Sequence, residues 1–188
     1  MKRTVQLILM MCMLLMTQVA LAAASGETIE EGADIASVKR LAIAYPDYFK
    51  EFDKEPTIEE FTQLVFDASK SARCYVISYD EIAAKIKAET LVDIKVLPKM
   101  EARKIYNEHV AKYADAYLIA TVANYWRINF FGNIYKAGTN ELLYSLQIQG
   151  GKDESSKSAG TYKRLAETFY KTFDTAAQEQ MKKNKNKD

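Results

Sequence analysis

The strongest constraint on the fold is a change of period near the C-terminus. Across residues 142–149, Leu142, Tyr144, Leu146 and Ile148 alternate with Leu143, Ser145, Gln147 and Gln149, which gives a strand one wholly apolar face. From Tyr162 the spacing becomes helical: Tyr162, Leu165, Ala166, Phe169, Phe173, Ala176, Ala177 and Met181 form one unbroken stripe. Such a stripe has to be buried on a sheet or on a partner. A strand with one apolar face and a long amphipathic terminal helix are therefore the minimum elements this chain supports.

Upstream, the order is alternating. Val38 to Tyr45 is a short apolar run stopped by Pro46, which has no N–H for a ladder, so a first strand ends there. Thr57-Ile58-Glu59-Glu60 is a capping box, and Phe61, Leu64, Val65 and Ala68 follow at helical spacing, with the helix ending near Ser71. Cys74 to Ser78 is a second β-rich run, so strand, helix and strand imply a parallel right-handed crossover. Asp80 is expected to cap a helix carrying Ile82, Ala83 and Ile86. Leu91 to Leu97 reads equally as a small strand or as an extended connection, and Pro98 ends it. A helix from Lys99 places Ala102, Ile105, Tyr106, His109, Val110 and Tyr113 on one inward side, and Asp115 closes it. Ala116 to Trp126 is a long strand. Phe130 to Tyr135 and Glu141 to Gln149 flank a turn-rich loop of hairpin length. The expected fold is one α/β domain, α+β in its C-terminal half: a single mixed sheet of about five strands packed with about four helices. It spans residues 37–183, after a flexible lead-in at 23–36 and before a disordered tail at 184–188.

The N-terminus bears on location. Met1-Lys2-Arg3, an apolar run from Val5 to about Val19, and Ala20-Leu21-Ala22-Ala23-Ala24 have the three parts of a secretory signal peptide, assigned here to residues 1–22. A retained membrane anchor is the competing reading, and the small-residue site favours cleavage, leaving no membrane span. Cys12 lies within the apolar run and Ala23 stands where an acylated Cys would be needed, so the chain is read as exported to the periplasm or beyond without a lipid. Five of the seven Met residues fall in this segment, which removes any sense of a Met-rich protein. Without Lys2 and Arg3, 24 basic side chains face 25 acidic ones, a balance that excludes nucleic-acid binding by phosphate neutralisation. Cys74 is then the only cysteine, and no intramolecular disulfide can form.

The elements resemble the small envelope domain shared by the curli-secretion lipoprotein, the amino-terminal domain of the Tol-Pal translocation protein and the lipoprotein activators of penicillin-binding proteins. The residues carrying the resemblance are Lys39 to Ala44, Tyr75 to Ile82 and Tyr113 to Val122. The resemblance implies an adaptor that binds other envelope components. It departs from the family in lacking the acylated Cys and a long amphipathic insertion for a secretion pore.

Chemistry is weakly encoded. A Cys-His hydrolase or transferase would need Cys74 beside His109. Cys74 opens a buried strand rather than a helix, and His109 stands on a core-facing stripe, so both are read as structural. One His and one Cys cannot close a zinc site, no calcium-loop or phosphate-loop spacing occurs, and no cofactor is expected. The candidate binding residues are Tyr125, Trp126, Arg127 and Phe131, because adjacent strand residues face opposite sides and exposed Trp, Tyr and Arg make hot spots. A helix covering that second face is the competing expectation. The sequence thus points to a non-enzymatic binding or assembly adaptor whose partner is an envelope protein or cell-wall glycan. A periplasmic enzyme and a secreted small-ligand-binding or self-associating module are the alternatives.

Overall fold

The computed structural model describes residues 24–124 and 126–186. The signal-peptide assignment at 1–22 lies outside the described residues, as does Tyr125. Among the described residues are seven strands: β1 (Ala24–Ile29), β2 (Arg40–Ile43), β3 (Asp47–Phe49), β4 (Tyr75–Ile77), β5 (Ala116–Asn124), β6 (Ile128–Lys136) and β7 (Leu142–Gln149). Four α-helices accompany them: α1 (Ile58–Ala68), α2 (Tyr79–Thr90), α3 (Lys99–His109) and α4 (Ala159–Lys185). They build one mixed sheet in the order β1-β7-β6-β5-β2-β4, with β3 also paired to β5.

The two strands beyond the expected five have clear origins. β3 is the continuation of β2 along the same edge of β5: Leu41 to Ile43 pair with Ala116 to Leu118, and Asp47 to Phe49 pair with Thr121 to Ala123. Pro46 divides them because it cannot donate to the ladder. β1 falls within the segment expected as a flexible lead-in. Residues 24–29 add to β7 antiparallel, with Ile29 opposite Tyr144, and Ile35 is fully buried. Backbone hydrogen bonds carry an edge strand without requiring an apolar pattern, so the small polar residues there gave no sign of it.

Two apolar clusters lie on opposite faces. On one, α1 and α4 cover Leu41, Leu118, Val122, Phe130, Tyr144 and Leu146 with Phe61, Val65, Phe169 and Phe173. Gly132 lets the Phe169 ring lie against β6, since a Cβ there would come within 2.1 Å of it. On the other face, α2 and α3 cover Ala42, Ala44, Ile77 and Tyr117 with Ile82, Ile86, Ala102 and Tyr106. The Tyr106 hydroxyl donates to the Ile43 carbonyl at 2.9 Å, tying α3 to the end of β2.

Local details differ from expectation in informative ways. The capping box at α1 is complete, with Thr57 and Glu60 bonded reciprocally. The cap of α2 is Ser78 rather than Asp80, which sits in the first turn. Asp115 does not close α3; its carboxylate accepts from the N–H groups of Lys39 and Arg40, holding the start of β2 against β5. Leu91 ends α2 in the left-handed region at φ 62°, and Ile94–Val96 is a 3-10 turn rather than a strand. In β7 the register shifts opposite Ile134 and Tyr135, so Leu143 is buried and Leu142 is not, reversing their expected places. Helix α4 extends into the expected tail as far as Lys185.

Candidate functional site

The site is built from the alternation of β5, β6 and β7. Val122, Phe130, Leu146 and Ile148 turn toward α1 and α4. Their neighbours Thr121, Asn129, Phe131, Asn133, Ser145, Gln147 and Gln149 therefore share the opposite face. The helices α2 and α3 reach that face over β4, β2 and the adjoining part of β5. The cluster beneath them takes in Tyr135 at the end of β6, and among the described residues it includes no other residue of β6 and none of β7. The expected helical cover is thus present over half the sheet and missing over the half that carries the candidate residues.

In register, Phe131 lies between Thr121 of β5 and Gln147 of β7, and it is half-buried. Its ring stands among these polar side chains, and Tyr135 is the next aromatic ring along the same face of β6. Arg127 is held at the upper margin of the same face: its guanidinium donates to Gln149 Oε1 at 3.0 Å, and the Asn129 amide donates to the Arg127 carbonyl at 3.0 Å. Asn133 and Ser145 bond to each other at 2.7 Å further down.

Trp126 stands in the connection between β5 and β6 and is 99% exposed. The base of this hairpin is fixed from the covered side. Asn124 donates to the Tyr162 hydroxyl at 2.9 Å, and that hydroxyl donates to the Ser156 carbonyl at 2.7 Å. The tip is consequently free while its stem is anchored to α4. Sequence reading selected Trp126, Arg127 and Phe131 but missed Gln149 and Gln147, whose signal was their place on the polar phase of β7.

The alternative chemistry is not assembled. Cys74 is 5% exposed and belongs to the cluster under α1 and α4. Burial, and then the nearby charge of Asp174, push its thiol up to about 11. A thiol so shifted is a poor source of thiolate. His109 ends α3 on the opposite side of the sheet, where its Nδ1 lies 3.5 Å from Glu89. It is partly exposed rather than core-facing, whereas Tyr106 and Val110 on either side of it are buried. Glu89 is held down to about 2, chiefly by the Lys112 ammonium and then by the Tyr113 hydroxyl, both of which donate to it. This is a surface charge network. Among the described residues no group of three or more His, Cys, Asp or Glu side chains is placed to hold a metal ion.

No family model and no curated protein matches the chain. Similar solved structures include the LpoB C-terminal domain from Escherichia coli, at 14% identity and a TM-score of 0.48, covering 64% of this chain and 88% of that one. A lipoprotein from Neisseria meningitidis is similar at 13% identity and 0.44, covering 71% and 95%. The PelC dodecamer from Paraburkholderia phytofirmans is similar at 9% identity and 0.41, covering 77% and 95%. The likeness is one of α/β architecture alone. Among the described residues no helix is long and apolar enough to cross a membrane.

Proposed function

We propose that this chain is an exported, non-enzymatic adaptor of the cell envelope that binds a protein partner through the tip of the β5–β6 hairpin and the adjoining polar face. The observation that carries this reading is the exposure of Trp126. A fully solvated indole on an anchored hairpin sacrifices burial worth about 1.5–3 kcal/mol, and binding recovers that apolar area. Arg127 and Phe131 extend the same surface, giving the aromatic and guanidinium contacts that concentrate binding energy. The signal-like N-terminus supports an envelope location. The separation of Cys74 from His109 across the sheet supports binding over catalysis.

The test is site-specific photocrosslinking in intact cells. A photoreactive residue at position 126 should give discrete adducts that are absent with the same residue at position 91, which is also exposed but lies at the end of α2. Arg127→Ala and Phe131→Ser should each reduce the adduct formed from position 126. Matching adducts from positions 126 and 91 would remove the support for this surface.

A further inference from the structure

Strands β2 and β4 lie side by side and parallel, yet the chain leaves them for opposite faces. β2 leads into α1 on one face, and β4 leads into α2 and α3 on the other. Neighbouring parallel strands whose connections part in this way leave a crevice beyond their carboxyl ends, and open α/β sheets bind ligands there. In this chain the crevice is a cavity of about 250 Å³. It lies against Tyr45 beyond β2 and Tyr79 beyond β4, and α3 supplies its far wall. A second hollow of about 220 Å³ adjoins it across Tyr45, Tyr79 and Lys95 and reaches α1.

The lining of the larger cavity has two characters. Tyr45, Tyr79 and Tyr106 form an aromatic wall, with ring centroids 5.3 Å and 6.0 Å apart in succession. Lys95, Lys99 and Arg103 line it as three cations, and no carboxylate lines it. Their counter-ions stand outside that lining: Asp80 lies 2.8 Å from Lys95, and Asp47 serves both Lys99 and Arg103, the latter at 3.0 Å. Lys99 and Arg103 share one carboxylate, which leaves an excess positive charge at the α3 wall, whereas Lys95 is balanced by Asp80, Asp93 and Glu59. Glu59 and Asp80 line the adjoining hollow beside Lys95. The N-terminus of α3, which has no side-chain cap, opens at Lys99 in the same wall and favours an anion there. Tyr79 is 5% exposed, so its ring is a fixed part of this wall.

We propose that this crevice is a binding site for a small aromatic carboxylate, its ring against Tyr45 and Tyr79 and its carboxylate on Arg103 and Lys95. The cavity volume is suited to a single ring, and the guanidinium fork matches a carboxylate. This site is independent of the hairpin tip and stands or falls without it.

Amide NMR titrations of the purified chain with benzoate, benzyl alcohol and benzylamine test the proposal. Benzoate should saturate shifts at Tyr79, Lys95 and Arg103 and bind at least about tenfold more tightly than benzylamine. Arg103→Gln should weaken benzoate by about tenfold or more. Because that change also loosens Asp47, Lys95→Gln serves as the second variant and should weaken benzoate with the spectrum otherwise preserved. Equal binding of the three probes, shifts that both variants leave unchanged, or no saturable shift with benzoate would each overturn it.

Discussion

The two faces of the sheet use the same strands for opposite ends. On the face beneath α1 and α4, Phe130, Tyr144, Leu146 and Ile148 are sealed by Phe169 and Phe173. On the reverse, Asn129, Phe131, Asn133, Ser145 and Gln147 meet solvent without a helix over them. One face supplies cohesion, and the other is left to present side chains. The contrast teaches that a period of two can store stability and an accessible surface in one segment, because each residue is committed to one side only.

Perturbations of the two faces should separate by magnitude. Phe169→Ala removes a fully buried ring and should destabilise by about 3–5 kcal/mol in urea unfolding. Gly132→Ala should cost about 1–3 kcal/mol or more through the clash with that same ring, and most of this cost should vanish in a Phe169→Ala background. Persistence of the full cost there would mean that close approach of α4 is not what Gly132 serves. Tyr106→Phe, on the helical half of the second face, should cost about 1 kcal/mol because the Ile43 carbonyl loses its donor. On the open half, Phe131→Ser should cost about 1 kcal/mol or less, and Trp126→Ala should leave the unfolding midpoint nearly unchanged. A loss for Phe131→Ser as large as that for Phe169→Ala would erase the distinction between faces.

Acid gives a finer test of how the half-covered face is held. Burial tends to raise the Asp47 carboxyl, but hydrogen bonds from Lys99 and Arg103 and their charges outweigh it, so its pKa lies below the ordinary 3.8. A folded pKa below the unfolded one adds stability that is complete above the unfolded value and lost as pH falls through the folded one. The wild type should therefore lose this contribution below about pH 4. Asp47→Asn should be less stable at neutral pH and should show a shallower decline between pH 5 and about 2 when urea midpoints are compared.

Much of this arrangement was legible in the residues. The Thr57–Glu60 capping box and the stripe from Tyr162 to Ala177 carry their structure locally and appear as read, whereas Met181 is only partly buried. The hairpin of β6 and β7 was equally plain from its turn residues and alternation. What was hidden depended on the backbone or on distant partners. β1 pairs through main-chain groups, which leave no mark in side-chain pattern. Leu143 displaces Leu142 from the core through a register shift that composition cannot show. His109 looked core-facing by helical phase, but its ring is partly exposed beside Glu89, while Tyr106 and Val110 take the buried places. The candidate site was half visible: Phe131 could be named from strand alternation, whereas its openness depended on how far α2 and α3 reach, and Trp126 lies in the connection beyond β5 rather than in the expected strand.

The pairing of β1 with β7 also bears on the order of events in folding. Glu27 meets Tyr144 across 117 residues of chain, so the earliest strand has no ladder until nearly the last one has emerged. Closing so long a loop is entropically costly and slow. A polypeptide delivered from its leading end would keep this margin of its sheet unfinished throughout delivery, leaving the segment threadable until Gln149 had followed it out.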